Sequence, residues 1–138
     1  VEKFKKYFHN FILILMLFLF YLFIITILLN LNMNFNINSA FSPAFALLFY
    51  YSGVLISHAK RNWFIGIRTP WTLSSDKIWN KTHEIGGKLF KACGIISLAG
   101  LIFPKFAIFF ILIPVIIAAF YTIIFSYLEY KKDRKIKK

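Results

Sequence analysis

Acidic residues are scarce, five against seventeen lysines and arginines, and there is a single cysteine in 138 residues. One cysteine excludes an intrachain disulfide, and Cys93 lies in an apolar stretch where it reads as a small packing residue. Polar surface is scarce too: 16% of positions are charged, while 59% are hydrophobic and 20% aromatic. No soluble core absorbs that much apolar surface, so a soluble globular domain is excluded. The net charge of +12 points toward nucleic acid or anionic lipid, and the position of the charges decides between them. They lie between apolar runs, which favours lipid and argues against direct nucleic-acid binding.

Four apolar runs follow from the pattern. Residues 8–29 are interrupted only by His9, Asn10 and Thr26 and preceded by Lys3, Lys5 and Lys6, which is long enough to cross a bilayer. A signal peptide would have an apolar region of about 7–15 residues followed directly by a small-residue cleavage site. Residues 30–38 follow instead, and the Ala-x-Ala at Ala44 and Ala46 sits inside the next run. That second span covers 39–57, with Pro43 near its start, where a missing N–H costs a helix little. The third, 83–103, contains Lys88 and Lys91, so its fully apolar part is 92–103, about 18 Å of helix. It crosses only if those lysines snorkel. The fourth, 106–127, carries Pro114 near its middle, where a kink is expected.

Short cytoplasmic connections collect Lys and Arg. Three cations precede the first span, seven lie between Lys60 and Lys91, six lie in the tail, and only Lys105 follows the third span. Four spans with both termini inside therefore put sixteen of seventeen cations on the cytoplasmic side. The expected fold is all-α: a single membrane domain over 1–138, four transmembrane helices, an interfacial cytoplasmic connection between helices 2 and 3, and a basic tail at 128–138. The uncharged stretch 30–38, Asn-Leu-Asn-Met-Asn-Phe-Asn-Ile-Asn, alternates with period two and reads as an extended segment on the outer interface.

Residues 62–87 hold all three tryptophans and three of the six glycines. Pro70 disfavours helix at Thr69, so 66–71 is expected to run extended along the membrane surface. Ser74 then caps a helix starting at Ser75, with Asp76 in the first turn. Ile78, Trp79, Thr82, Ile85, Gly86 and Leu89 recur at helical spacing, which carries this helix into the third span and places Lys77, Lys81, Lys88 and Lys91 near anionic headgroups. Gly86, Cys93, Ser97 and Gly100 share one face, a stripe that admits close helix approach.

The run Gly66-Ile-Arg-Thr-Pro-Trp-Thr-Leu, followed by Ser74-Ser75, Ile78-Trp79, Thr82-His83 and Gly86-Gly87, resembles the SdpI family of bacterial membrane immunity proteins against a sporulation-delaying peptide toxin. The resemblance covers about a quarter of the chain. It implies an inner-membrane protein that protects its own cell from a secreted antimicrobial peptide, and with no catalytic or metal motif in the chain the expected mode is binding, without catalysis or a cofactor. It also implies a second partner, a soluble ArsR-type repressor sequestered at the membrane. The motif residues Asn62, Gly66, Arg68, Thr69, Pro70, Trp71, Trp79, Thr82, His83, Gly86 and Gly87 become the candidate binding residues. Larger family members carry an additional N-terminal membrane region with no counterpart here, and Lys77 replaces the acidic residue with which Ser74 would form a capping box.

Other chemistry fits less well. His9, His58, His83, Glu84 and Cys93 form no paired metal motif, and nothing like Gly-x-Ser-x-Gly accompanies Ser74, Ser75 and His83. A small transporter or channel subunit would need charges buried in its spans, and as a pore it would have to be a homo-oligomer. The tryptophans also suit an interfacial belt, and Arg68 suits a lipid phosphate or a partner carboxylate.

Overall fold

The structure, a computed structural model, describes residues 2–136. Lys137 and Lys138 of the basic tail lie outside the described residues. The chain forms α1 (Glu2–Asn30), α2 (Ile37–His58), the short α3 (Pro70–Ser74), α4 (Asp76–Ser97), α5 (Ala99–Ile102), a 3₁₀ turn (Pro104–Phe106) and α6 (Ala107–Ile136). Among the described residues, four stretches are long and apolar enough to cross a bilayer: Phe4–Asn30, Ile37–His58, Asp76–Ile102 and Pro104–Ile136. The chain is an all-α, multi-pass membrane protein.

The helices alternate in direction. Tyr7 of α1 stacks on His58 of α2 at 3.9 Å, while near the other end Tyr21 donates to the Ala40 carbonyl at 2.9 Å. Between α2 and α4, Gly53 faces Gly87 and Gly94 faces Ala46 and Tyr50, and Gly100 of α5 faces Ser42 of α2. Between α4 and α6, Lys77 reaches Asp133 and Lys81 reaches Glu129. One end of the bundle therefore gathers the start of α1, the end of α2, the start of α4 and the end of α6, with nearly all of the cations. The opposite end carries the two turns at 31–36 and 103–106.

The close approach of α2 and α4 follows from their glycines. A Cβ at Gly53 would lie 2.6 Å from the Gly87 carbonyl oxygen, and one at Gly94 2.8 Å from the Tyr50 nitrogen. Lipid tails are as apolar as leucine, so helices in a membrane gain most from such close packing of small residues. The expected stripe is in place, with Gly86, Cys93, Ser97 and Gly100 all buried. It is wider than expected, because Gly87 and Gly94 add the face toward α2 while Gly86 looks toward Thr122 of α6. By contrast, among the described residues α1 rests on α2 alone of the helices, and its Leu13, Met16, Leu19, Phe20 and Phe23 face outward.

Four local expectations are corrected. The period-two stretch is not extended throughout: α1 continues to Asn30, and α2 begins at Ile37 because Asn36 Oδ1 accepts from the backbone N–H groups of Asn38 (3.1 Å) and Ser39 (3.2 Å). A left-handed Asn32, φ 57°, turns the chain between them. Residues 66–71 are not extended throughout either, since Pro70 opens α3 as its first residue, where a helix tolerates proline best. Ser74 caps nothing; its hydroxyl returns to the Trp71 carbonyl, and Ser75 precedes α4 without a side-chain cap bond. The third span is longer than 83–103, running without a strong break from Asp76 to Ile102.

Candidate functional site

The connection from Ala59 to Ser75 folds over the end of α2 and against the first turns of α4. Its entry is a tight turn organised by Asn62, whose Oδ1 accepts from Phe64 N (2.8 Å) and Ile65 N (2.7 Å). The Asn62 amide in turn donates to the Lys60 (2.7 Å) and Ile65 (3.1 Å) carbonyls. Arg68, exposed, donates to the Trp63 carbonyl at 2.6 Å and closes the turn from the other side.

Gly66 follows with φ +124°, a conformation that L side chains rarely adopt. A Cβ there would run into His83 Nε2 and lie 3.0 Å from the Trp79 ring. This close passage lets Ile67 N–H donate to His83 Nε2 at 2.9 Å. The other ring nitrogen, Nδ1, meets the Trp79 carbonyl at 2.8 Å. A backbone N–H only donates and a carbonyl only accepts, so the two contacts fix His83 as the neutral tautomer with its proton on Nδ1. The ring stacks on Trp79 at 3.9 Å, and Trp79 Nε1 donates to the Ala59 carbonyl at 2.7 Å. Trp79 and His83 are thus buried keystones that clasp both ends of the turn.

The exit is capped. Thr69 and Thr72 bond reciprocally, Thr72 N to Thr69 Oγ1 (3.1 Å) and Thr69 N to Thr72 Oγ1 (2.9 Å), which is a capping box for α3. Thr69 Oγ1 also shares a 3.0 Å hydrogen bond with Ser126 Oγ of α6. Trp71 is half-buried against Tyr127, ring centroids 5.0 Å apart. Arg61 returns to the end of α3, donating to the Leu73 carbonyl at 2.9 Å and pairing with Asp76 at 2.8 Å.

The motif residues therefore divide. Gly66 packs on the buried pair Trp79 and His83 in one cluster, and Thr69 joins Ser126 in another. Gly86 is a contact point with the connection and Gly87 with α2, where added side chains would strike Ile67 and Ser57. Thr82 is fully buried with no hydrogen-bond partner for its hydroxyl among the described residues. Arg68 and Pro70 are exposed, and Asn62 and Trp71 half-buried.

Sequence reasoning missed the contribution of α6. Thr122, Ser126 and Glu129 are buried on the face turned to α4 and the connection, and Asp133 continues it. Their spacing of four, three and four residues was the available signal. Glu129 receives Lys81 (2.6 Å) and Lys132 (3.2 Å), and Lys77 reaches Asp133 at 3.0 Å, around a polar cleft of about 100 Å³. At the other extreme, an apolar groove of about 360 Å³ runs between α1 and α2, lined by residues including Leu17, Phe18, Tyr21, Pro43 and Leu47.

A family model described as the SdpI/YfhL protein family matches residues 58–126, which are the connection, α4, α5 and two thirds of α6. The chain is also similar to the protein named Immunity protein SdpI of Bacillus subtilis (strain 168), 32% identical over 75 residues. That similarity covers 54% of this chain and 36% of the relative, so the chain spans about a third of the length of the curated relative it matches. No solved structure matches.

Proposed function

This chain belongs to the SdpI/YfhL protein family, and we propose that it is an immunity protein of the bacterial inner membrane that protects its cell from a secreted antimicrobial peptide by binding it, without turnover. The observation that carries this reading is how the matched stretch spends its polar side chains. His83, Trp79, Thr69 and Thr72 all bond to the protein's own backbone or hydroxyls, holding the connection against α4 and α6. A histidine with both nitrogens engaged is not poised to take a proton from a nucleophile. A rigid, preformed surface is what binding needs, because little ordering remains to be done on association.

Within this reading the exposed Arg68 and Pro70 and the half-buried Trp71 are the contact members of the motif, and Asn62, Gly66, Thr69, Trp79, Thr82, His83, Gly86 and Gly87 shape the surface that presents them. The apolar groove between α1 and α2 suits a membrane-inserted peptide helix. By the excess of Lys and Arg, the charged end and both termini lie on the cytoplasmic side.

The test is survival. A sensitive bacterium expressing the protein and challenged with the sporulation-delaying peptide should outlive cells without it; unchanged killing, with the protein demonstrated in the membrane, would refute the proposal. Arg68→Ala and Trp71→Ala should reduce protection at normal membrane abundance. A second reading, a scaffold that recruits a soluble ArsR-type repressor, is favoured by one feature. The connection, the start of α4 and the end of α6 together present a broad basic platform at one end. Co-purification of such a repressor with membranes in the presence of peptide would support it, and its absence in both conditions would count against it.

A further inference from the structure

The three tryptophans have different fates. Trp79 is fully buried and Trp71 rests on Tyr127, whereas Trp63 is 72% exposed and its neighbour Phe64, at 85%, is the most exposed large apolar side chain among the described residues. The other exposed apolar side chains lie mostly on the spans, where lipid covers them. Trp63 and Phe64 lie on a turn outside every span, held outward by the Asn62 bonds and by Arg68 on the Trp63 carbonyl.

The height of that turn can be worked out. The 22 residues of α2 measure about 33 Å, close to the roughly 30 Å hydrocarbon thickness, so His58 sits at its edge. Ala59, the next residue, is tied to Trp79, and Ile67 is tied to His83, one helical turn before the Gly87 that packs on Ser57. Both ends of the turn are thus pinned within about one helical turn, roughly 5 Å, of the hydrocarbon edge. That is headgroup depth, where Trp and Phe are most at home. The charge agrees: no acidic residue occurs between His58 and Asp76, while Lys60, Arg61 and Arg68 do.

We propose that the turn 62–65 is a membrane anchor, inserting Trp63 and Phe64 into the headgroup layer at the charged end of the bundle, with Lys60 on the phosphates of anionic lipids. The two inserted side chains, Trp63 and Phe64, are not among the residues assigned above to peptide contact. It fixes the height of the connection, and through Gly66 and Ile67 it steadies the Trp79–His83 clasp.

The test uses the full chain reconstituted in phosphatidylcholine vesicles, with and without phosphatidylglycerol, carrying acyl chains brominated near the headgroup. Trp63→Phe, which leaves Trp71 and Trp79 in place, isolates the Trp63 emission by difference. The expected result is that brominated lipid quenches the Trp63 component strongly and aqueous iodide quenches it little. Phosphatidylglycerol should increase the lipid quenching, and Lys60→Gln should remove that increase. A Trp63 component quenched by iodide and untouched by brominated lipid would overturn the anchor and leave the turn facing water, open to a soluble protein. Lipid quenching that is indifferent to phosphatidylglycerol would overturn the anionic-lipid part.

Discussion

Replacing Gly66 by alanine tests the clasp that holds the connection. Two costs follow from the geometry. A non-glycine residue at φ +124° carries backbone strain of about 1–3 kcal/mol. The new Cβ also clashes with His83 Nε2, so the ring must move and its bond from Ile67 N–H, worth about 1 kcal/mol net, is lost. The ring has little freedom to yield, being stacked on Trp79 and bonded to the Trp79 carbonyl. Gly66→Ala should therefore destabilise the protein by about 2–4 kcal/mol. The two costs separate in a double-mutant cycle with His83→Ala. Without the ring, the alanine at 66 should cost only its backbone strain, so the double mutant should be more stable than the sum of the singles by about 1 kcal/mol or more. Equilibrium unfolding in mixed detergent micelles supplies the four free energies. Additivity within about 0.5 kcal/mol would refute the contact between Gly66 and His83.

Other substitutions probe other joints. Gly87→Ala should cost about 1–3 kcal/mol by overpacking α2 against α4. Adding Ser57→Ala should restore only part of it, because the Gly53 carbonyl remains 2.8 Å from the new Cβ; full restoration in thermal melts would contradict the backbone contact. Trp79→Phe keeps the ring stack but leaves the buried Ala59 carbonyl without its donor, for a loss of about 1–3 kcal/mol in the same unfolding assay. Glu129→Gln weakens the pairs with Lys81 and Lys132, whose side chains are 49% and 70% exposed. The expected loss is under about 1 kcal/mol and shrinks as salt is added; a large, salt-independent loss would show that the pairs are not solvent-screened.

The four spans were legible because hydropathy and the one-sided Lys and Arg pattern are properties of single segments, and the helix running from Asp76 into the third span was legible from its period. Lys88 and Lys91 obscured that span in sequence. In the fold Lys88 pairs with Glu84, an exposed side chain four residues before it, and Lys91 lies half-buried beside Gly53. What sequence could not sort was the fate of like residues. Trp63, Trp71 and Trp79 look alike as an interfacial belt, yet only long-range partners, the Ala59 carbonyl and Tyr127, separate the buried one from the half-buried and the exposed. Pro70 disfavours helix at Thr69, and Thr69 is indeed extended, with φ −97° and ψ 160°. The same geometry makes it the cap of α3, and the local partner, Thr72, was three residues away. The polar face of α6 went unread because Thr122, Ser126 and Glu129 gain meaning only once α4 and the connection are packed on them.

Protection by binding, without turnover, is tested most directly by following the peptide itself. Membranes bearing the protein, incubated with the sporulation-delaying peptide and washed, should retain it in excess over control membranes, and mass spectrometry should return it at its full, unmodified mass. Peptide that is cleaved or modified, or retained no better than on control membranes while cells are still protected, would contradict the account.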